Sequence, residues 1–128
     1  MAEISLVRID SRLIHGQVIT KGIKLEIYSV EKAVEQYKEN MFGIGKLLIL
    51  FKDIPTCYEA LSKGLHLEYI QLGGIASAPG KKAVYRAISL DDKDVEYLKE
   101  MVQKGIEIAV HIIPEETKVE VQNILKKY

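Results

Sequence analysis

Residues 4–18 read ISLVRIDSRLIHGQV. The run from Ile4 to Ile9 is mostly aliphatic, the pattern of a strand in a parallel sheet that is covered on both faces. A buried strand that merely turned back would end on Gly, Pro, Asn or Ser, chosen for their backbone angles. Here the strand carries Arg8 and runs into Asp10, Arg12 and His15, with Gly16 directly behind the histidine. That is side-chain chemistry at the end of a strand.

Working outward from this stretch, strands and helices alternate. HGQVITKGIK, from His15, could form a short helix, and LEIYS (Leu25 to Ser29) reads as a strand. Behind Ser29, a plausible cap, Val30, Ala33, Val34, Tyr37 and Met41 recur at helical spacing. Gly43 and Gly45 break that pattern before KLLILF (Lys46 to Phe51), another buried strand. Pro55 occupies a first-turn position of a helix that ends at Gly64. LEYIQLGG, from Leu67, is a strand closing on paired glycines; residues 75–82 form a loop; AVYRAISL (Ala83 to Leu90) reads as one strand. Val95, Leu98, Met101 and Val102 mark a helix ending at Gly105, IEIAVHII is a last strand stopped by Pro114, and Val121, Ile124, Leu125 and Tyr128 stripe a C-terminal helix. The expected fold class is α/β: an open, mostly parallel twisted sheet with helices on both faces. In such sheets ligands bind beyond the carboxyl ends of the strands, which puts Arg8 through Gln17 at the ligand edge.

Composition narrows the function classes. The 128 residues are 48% hydrophobic, which suits one domain with one core. Eighteen basic and eighteen acidic side chains cancel, so no overall field attracts nucleic acid or an anionic membrane, and any anion site must be local. The lone cysteine, Cys57, cannot form an internal disulfide, and MAEISLV lacks the basic segment and apolar run of a secretion signal. The longest strongly apolar run, Leu47 to Phe51, is far short of the roughly 20 residues that a membrane span requires. A cytoplasmic protein is expected.

If a helix starts near Ile14 or His15, its first N–H groups and the positive end of its dipole face the loop. Two arginines add forked donors that match phosphate oxygens, and an imidazole with one unprotonated nitrogen can attack a phosphoryl group. These are the parts of a nucleophile in an anion cradle. No Walker-type loop or metal-ligand cluster accompanies them, so neither ATP nor a metal is implied, and no cofactor is expected. Taken alone, His15 reads more readily as a polar residue capping a helix; the surrounding motif reverses that reading.

The segment RIDSRLIHGQV resembles the active-site segment of the EIIB component of the mannose, fructose and sorbose family of the bacterial phosphoenolpyruvate-dependent sugar phosphotransferase system, whose usual form is R-[IV]-D-D-R-L-I-H-G-Q-V. The likeness continues through KLEIYSVEKAV, the LGG at Leu72, PGKK, AISL and DDKDVEYLK, and so spans most of the chain. It implies a single phosphocarrier domain over residues 1–128. By this resemblance His15 takes a phosphoryl group from a phosphohistidine on EIIA and gives it to a sugar held by the membrane components EIIC and EIID, at the inner face of the membrane. Asp10 would orient or polarise the imidazole, while Arg12 and the N–H groups of a loop through Ser11, Leu13, Ile14, Gly16 and Gln17 would hold the phosphate; Arg8 is a weaker candidate. The sugar and the oligomeric state, including a homo-oligomer, stay open.

Two departures stand out. Ser11 replaces a common aspartate, removing a negative charge from an anion site. In members of that family a further strand and helix precede the counterpart of KLEIYSV, whereas here only ITKGI (Ile19 to Ile23) separates Val18 from Lys24. The fold is therefore expected to lack one strand-helix unit, with a break or an abrupt connection between Val18 and Leu25. A shortened, non-catalytic domain that binds or regulates is the alternative function.

Other candidates have plainer readings beside sharp ones. Other EIIB families phosphorylate cysteine, but Cys57 lies at helical spacing from Ile54, Tyr58 and Leu61, as a small core residue would. Gly73 and Gly74 suit either a turn or close approach of a ligand. Asp53 reads as a helix cap or an accessory site residue, Lys81 and Lys82 as solvated, and His66 and His111 as surface and sheet residues.

Overall fold

The computed structural model describes residues 2–12, 27–39, 45–113 and 115–128. Strand β1 spans Ala2–Asp10, β2 Gly45–Phe51, β3 Tyr69–Gly74, β6 Glu107–Val110 and β7 Val119–Glu120, in the sheet order β2-β1-β3-β6-β7. Every ladder of this five-stranded sheet is parallel except that of β6 with β7. β1 therefore lies inside the parallel part of the sheet, as its aliphatic run predicts. Val7, Ile9, Ile70, Leu72, Ile108 and Val110 bury the sheet's centre.

Helix α1 (Val30–Lys38) starts where Ser29 caps it, the hydroxyl accepting from the Lys32 N–H at 3.2 Å. Asp53 caps α2 (Ile54–Ser62) in the same way at 2.9 Å, with Pro55 in the first turn, where a missing N–H costs nothing. Helix α3 (Asp92–Gln103) opens on a capping box, the Asp91 and Asp94 side chains each accepting from the other's N–H. α2 and α3 are followed by Gly64 and Gly105 at positive φ, as expected of helix ends. α1, α2 and α3 pack side by side, and between the last two Tyr58 stacks on Tyr97 with ring centroids 4.2 Å apart. α4 (Val121–Leu125) turns Val121 and Ile124 into the core beside β6 and β7.

The structure departs from the sequence expectations in four places. Ala83 to Leu90 is not one strand but a hairpin, β4 (Lys82–Tyr85) and β5 (Ile88–Leu90), in its own two-stranded sheet. Its turn puts Ala87 at φ 63°, where the Ile75 N–H donates to the Ala87 carbonyl and the Ser89 N–H donates to the Ile75 carbonyl, and Ile75 pairs with Ile88 as a single bridge. Only that tertiary contact marks the turn, since the sequence carries no Gly or Asn there. IEIAVHII is not the last strand, because β7 follows it as a short antiparallel edge. Lys81 is not solvated: its ammonium pairs with buried Asp94 at 2.6 Å and with Asp91 at 3.8 Å.

The fourth departure bears on the expected gap. Of LEIYS, Ile27, Tyr28 and Ser29 are described, and they belong to no strand; Ile27 is 78% exposed. β2 is the sheet's edge among the described residues, bonded to β1 alone, and Leu48 on it stands 39% exposed. The connection from Val18 to Leu25 lies outside the described residues.

The left-handed backbone of Ala87 costs about 1–2 kcal/mol that glycine would not incur. Ala87→Gly should therefore raise stability by roughly 0.5–1 kcal/mol after the entropy of the added freedom is subtracted, read as a higher urea midpoint at unchanged slope.

Candidate functional site

Parallel strands bring the carboxyl ends of β1 and β3 together, and β1 ends on Asp10, whose residue is only 8% exposed. A carboxylate in that position needs partners. Its Oδ1 accepts from the Arg12 backbone N–H at 3.0 Å and from Arg12 Nε at 2.9 Å; its Oδ2 accepts from Arg12 Nη2 at 2.8 Å and from Arg8 Nε and Nη2 at 3.3 and 3.2 Å. One anion thus gathers two guanidinium groups. Burial works against ionisation of Asp10, but hydrogen bonds from Arg12, and then the charges of Arg12 and Arg8, outweigh it and hold the carboxyl below its ordinary 3.8. The same hydrogen bond raises Arg12 further above its ordinary value, against a smaller opposing effect of burial.

The two arginines are placed differently. Arg8 spends every N–H it has: besides the two on Asp10, Nη1 donates to Gln71 Oε1 and to the His111 carbonyl at 2.8 Å, and Nη2 donates to the Ile112 carbonyl at 2.9 Å. Its side chain is 17% exposed. Arg12 lays one edge along Asp10 and touches the Gly73 carbonyl at 3.3 Å, while its side chain is 50% exposed and its Nη1 takes no partner among the described residues. Among the described residues, Arg12 and not Arg8 has donors left for an incoming anion.

Gly73 and Gly74 make room for this cluster. The register of β1 against β3 slips between Ile9 and Asp10, so that Ile9 faces Leu72 and Asp10 faces Gly74, leaving Gly73 as the extra residue of a bulge. The Arg8 guanidinium fills the space that a Cβ on Gly73 would take, and a Cβ on Gly74 would lie 3.2 Å from Asp10 Oδ1. The close approach these glycines permit is that of the protein's own arginines. Ser11 ties the strand end to the following loop: its N–H donates to the Gly74 carbonyl at 2.9 Å, and its hydroxyl accepts from the Ala76 N–H at 3.0 Å.

Among the expected site residues, Arg8, Asp10, Ser11, Arg12, Gly73 and Gly74 therefore meet in one place. Asp53 sits at the same end of the sheet but serves as the cap of α2, and no described contact joins it to Asp10. His15, with Leu13, Ile14, Gly16 and Gln17, lies outside the described residues. Cys57 is fully buried, and burial, followed by the charge of Asp53, pushes its thiol up to about 12, so it is poorly suited to act as a nucleophile. Gln71 and the carbonyls of His111 and Ile112 belong to the site although the sequence reading did not pick them; three consecutive strands end here, and only the structure shows which groups face Arg8. No cluster of three or more His, Cys, Asp or Glu side chains among the described residues could hold a metal ion.

Because its folded pKa is lowered, Asp10 stabilises the fold above its ordinary pKa, and that contribution is lost as pH falls through the folded value. Asp10→Asn should cost about 3 kcal/mol at pH 7, as breaking a buried ion pair does, and the difference from wild type should shrink below about pH 4. Urea midpoints measured from pH 7 down to pH 2 check both parts; a difference independent of pH would remove the carboxylate from its role.

Comparison with known proteins agrees with this architecture. The family model described as the PTS system sorbose subfamily IIB component matches residues 20–128, a stretch that begins after the Arg8 to Val18 motif. The sorbose-specific EIIB component of Klebsiella pneumoniae is 27% identical over an alignment of 158 positions that covers 98% of this chain and 94% of that protein. The alignment outruns the 128 residues here, so that relative carries residues with no counterpart in this chain. The mannose-specific EIIAB component of Escherichia coli K12 is also 27% identical, over 97% of this chain and 49% of its own length. Among solved structures, the IIBSor domain of the Klebsiella pneumoniae sorbose permease superposes with a TM-score of 0.87 at 24% identity, covering 98% of this chain and 97% of that one. The manxB structure from Thermoanaerobacter tengcongensis gives 0.89 at 25% identity, covering 100% and 98%. No helix among the described residues is long and apolar enough to cross a membrane. With the α/β fold, the arginine-clamped strand end and a family match over most of its length, the chain belongs to the IIB components of the mannose and sorbose family of the sugar phosphotransferase system, and its role is in sugar phosphotransfer.

Proposed function

We propose that residues 1–128 act as one cytoplasmic phosphocarrier domain that takes a phosphoryl group from phospho-EIIA onto His15 and passes it to a sugar of the mannose, fructose or sorbose class held by membrane EIIC and EIID components. The observation that carries this reading is Arg12. Its guanidinium is clamped along one edge by a buried carboxylate while half its side-chain surface stays exposed, three residues before His15 in the chain. A fixed, outward-facing cation is what a moving phosphoryl group requires, because transfer of this kind is mostly positioning and charge stabilisation.

The chemistry takes two displacements. An unprotonated imidazole nitrogen of His15 forms a bond to phosphorus as the bond from phosphorus to the EIIA histidine breaks. A sugar hydroxyl oxygen then attacks the same phosphorus, the bond to His15 breaks, and the hydroxyl proton passes to solvent. Arg12 stabilises the spread negative charge in both steps. Neither step needs a metal or a cofactor, and the net neutrality of the chain is no obstacle when the positive charge is local. Attachment to the inner face of the membrane would come through the permease components.

Two labelling results test the reading. Given phospho-EIIA, His15→Ala should take no label and Cys57→Ser should be labelled as wild type is; label lost only from the cysteine variant would overturn the assignment. Arg12→Ala should keep the fold and slow transfer by about a hundredfold or more, as removal of one charge-stabilising group does elsewhere. A wild-type rate would take Arg12 out of the site. The second reading, a shortened domain that binds or regulates without transferring, is favoured by the place of β2 at the sheet's edge among the described residues and by the residues that the Klebsiella relative has in excess. Absence of label on the wild-type chain would favour it.

A further inference from the structure

Behind the arginine cluster lies a polar chain that the proposed function does not use. A guanidinium only donates, so the Gln71 side chain must turn its oxygen to Arg8 and its NH₂ group to the other side. There it meets Nδ1 of His111 at 3.1 Å. Nδ1 must then accept, which places the proton of the neutral ring on Nε2. That nitrogen is buried and has no hydrogen-bond partner among the described residues. An imidazole that leaves a buried donor unpaired gives up stability, so its place here calls for a reason. The geometry supplies one, because the accepting Nδ1 fixes the orientation of Gln71, Gln71 with two carbonyls fixes Arg8, and Arg8 shares Oδ2 of Asp10 with Arg12.

We propose that Gln71 is a positioning residue: held by His111, it sets the Arg8 guanidinium and, through the Asp10 carboxylate, the direction of Arg12. The kinetic consequence rests on the phosphocarrier reading; the geometric one does not. Arg8 belongs to the support and never touches phosphate, since its five N–H groups are spent. Gly73 is part of the same device, because any side chain there would displace the guanidinium that Gln71 holds.

The test uses the full chain with Gln71→Leu and Gln71→Glu, the second of which keeps an oxygen toward Arg8. Single-turnover transfer from phospho-EIIA should fall roughly ten- to a hundredfold in Gln71→Leu at unchanged affinity for EIIA, since small misplacements of a positioned group have effects of that size. Gln71→Glu should recover most of the rate. The Nε–Hε resonance of Arg12 in a ¹⁵N spectrum, recorded well below the unfolding temperature, should shift and exchange faster in Gln71→Leu. If Gln71→Leu does not fold, Gln71→Met, of similar length without a polar end, replaces it. An Arg12 resonance that does not move overturns the proposal whatever the rate, as does an equal loss of rate in the Leu and Glu variants. If the wild-type chain takes no label, the phosphocarrier reading fails instead, and the Arg12 resonance alone decides the positioning claim.

Discussion

A buried carboxylate shared between two arginines is the interaction on which the rest of this site depends. Asp10 stands at the end of a central strand, out of water, where an isolated anion is untenable. Five N–H groups from Arg8 and Arg12 satisfy it, and the three side chains together keep one positive charge. Because Arg8 is enclosed by carbonyls and Arg12 is half exposed, the surplus charge faces outward through Arg12 alone. A chain with no net charge thereby presents a cation in a fixed direction.

The sheet is built around that arrangement. A regular parallel ladder would set a residue of β3 beside each residue of β1, and a side chain on Gly73 would then compete with the Arg8 guanidinium. The bulge at Gly73 and the absence of a Cβ remove the conflict together. The paired glycines are therefore a packing requirement of the arginine cluster, and the ligand edge of the fold is already partly filled by protein. Among the described residues, what remains open to an incoming group is the exposed part of Arg12.

How far the sequence made this legible varies with how local the cause is. The Ser29 and Asp53 caps, Pro55, and Gly64 and Gly105 at helix ends act within one turn of chain, and they could be read directly. So could the aliphatic run of β1 and the cluster of Arg8, Asp10 and Arg12 after it. The hairpin at Ala87 could not, because its turn is held by Ile75 from another segment. Lys81 looked like a surface residue because Asp94, its buried partner, doubles as part of a helix cap and lies thirteen positions on. The unequal placing of Arg8 and Arg12 was hidden for the same reason. Both look like phosphate ligands until the carbonyls of His111 and Ile112 are seen to consume the first.

The open edge of β2 and the arginine site are separable. Every described partner of the Arg8, Asp10, Ser11 and Arg12 side chains outside their own strand end comes from β3, from Ala76 after it, or from His111 and Ile112 after β6, and β2 meets Arg8 only through the backbone ladder. None comes from β2, which lies on the other side of β1. Among the described residues β2 has no outer neighbour, and Leu48 on it is partly exposed, at a cost in burial of order 1 kcal/mol for a partly uncovered leucine. That cost falls on stability, and an edge adds the risk of pairing with another strand. The direction of Arg12 is set by groups on the protected side of the sheet. A shortened edge and an intact arginine clamp can therefore coexist in one chain, and the first is no argument against the second.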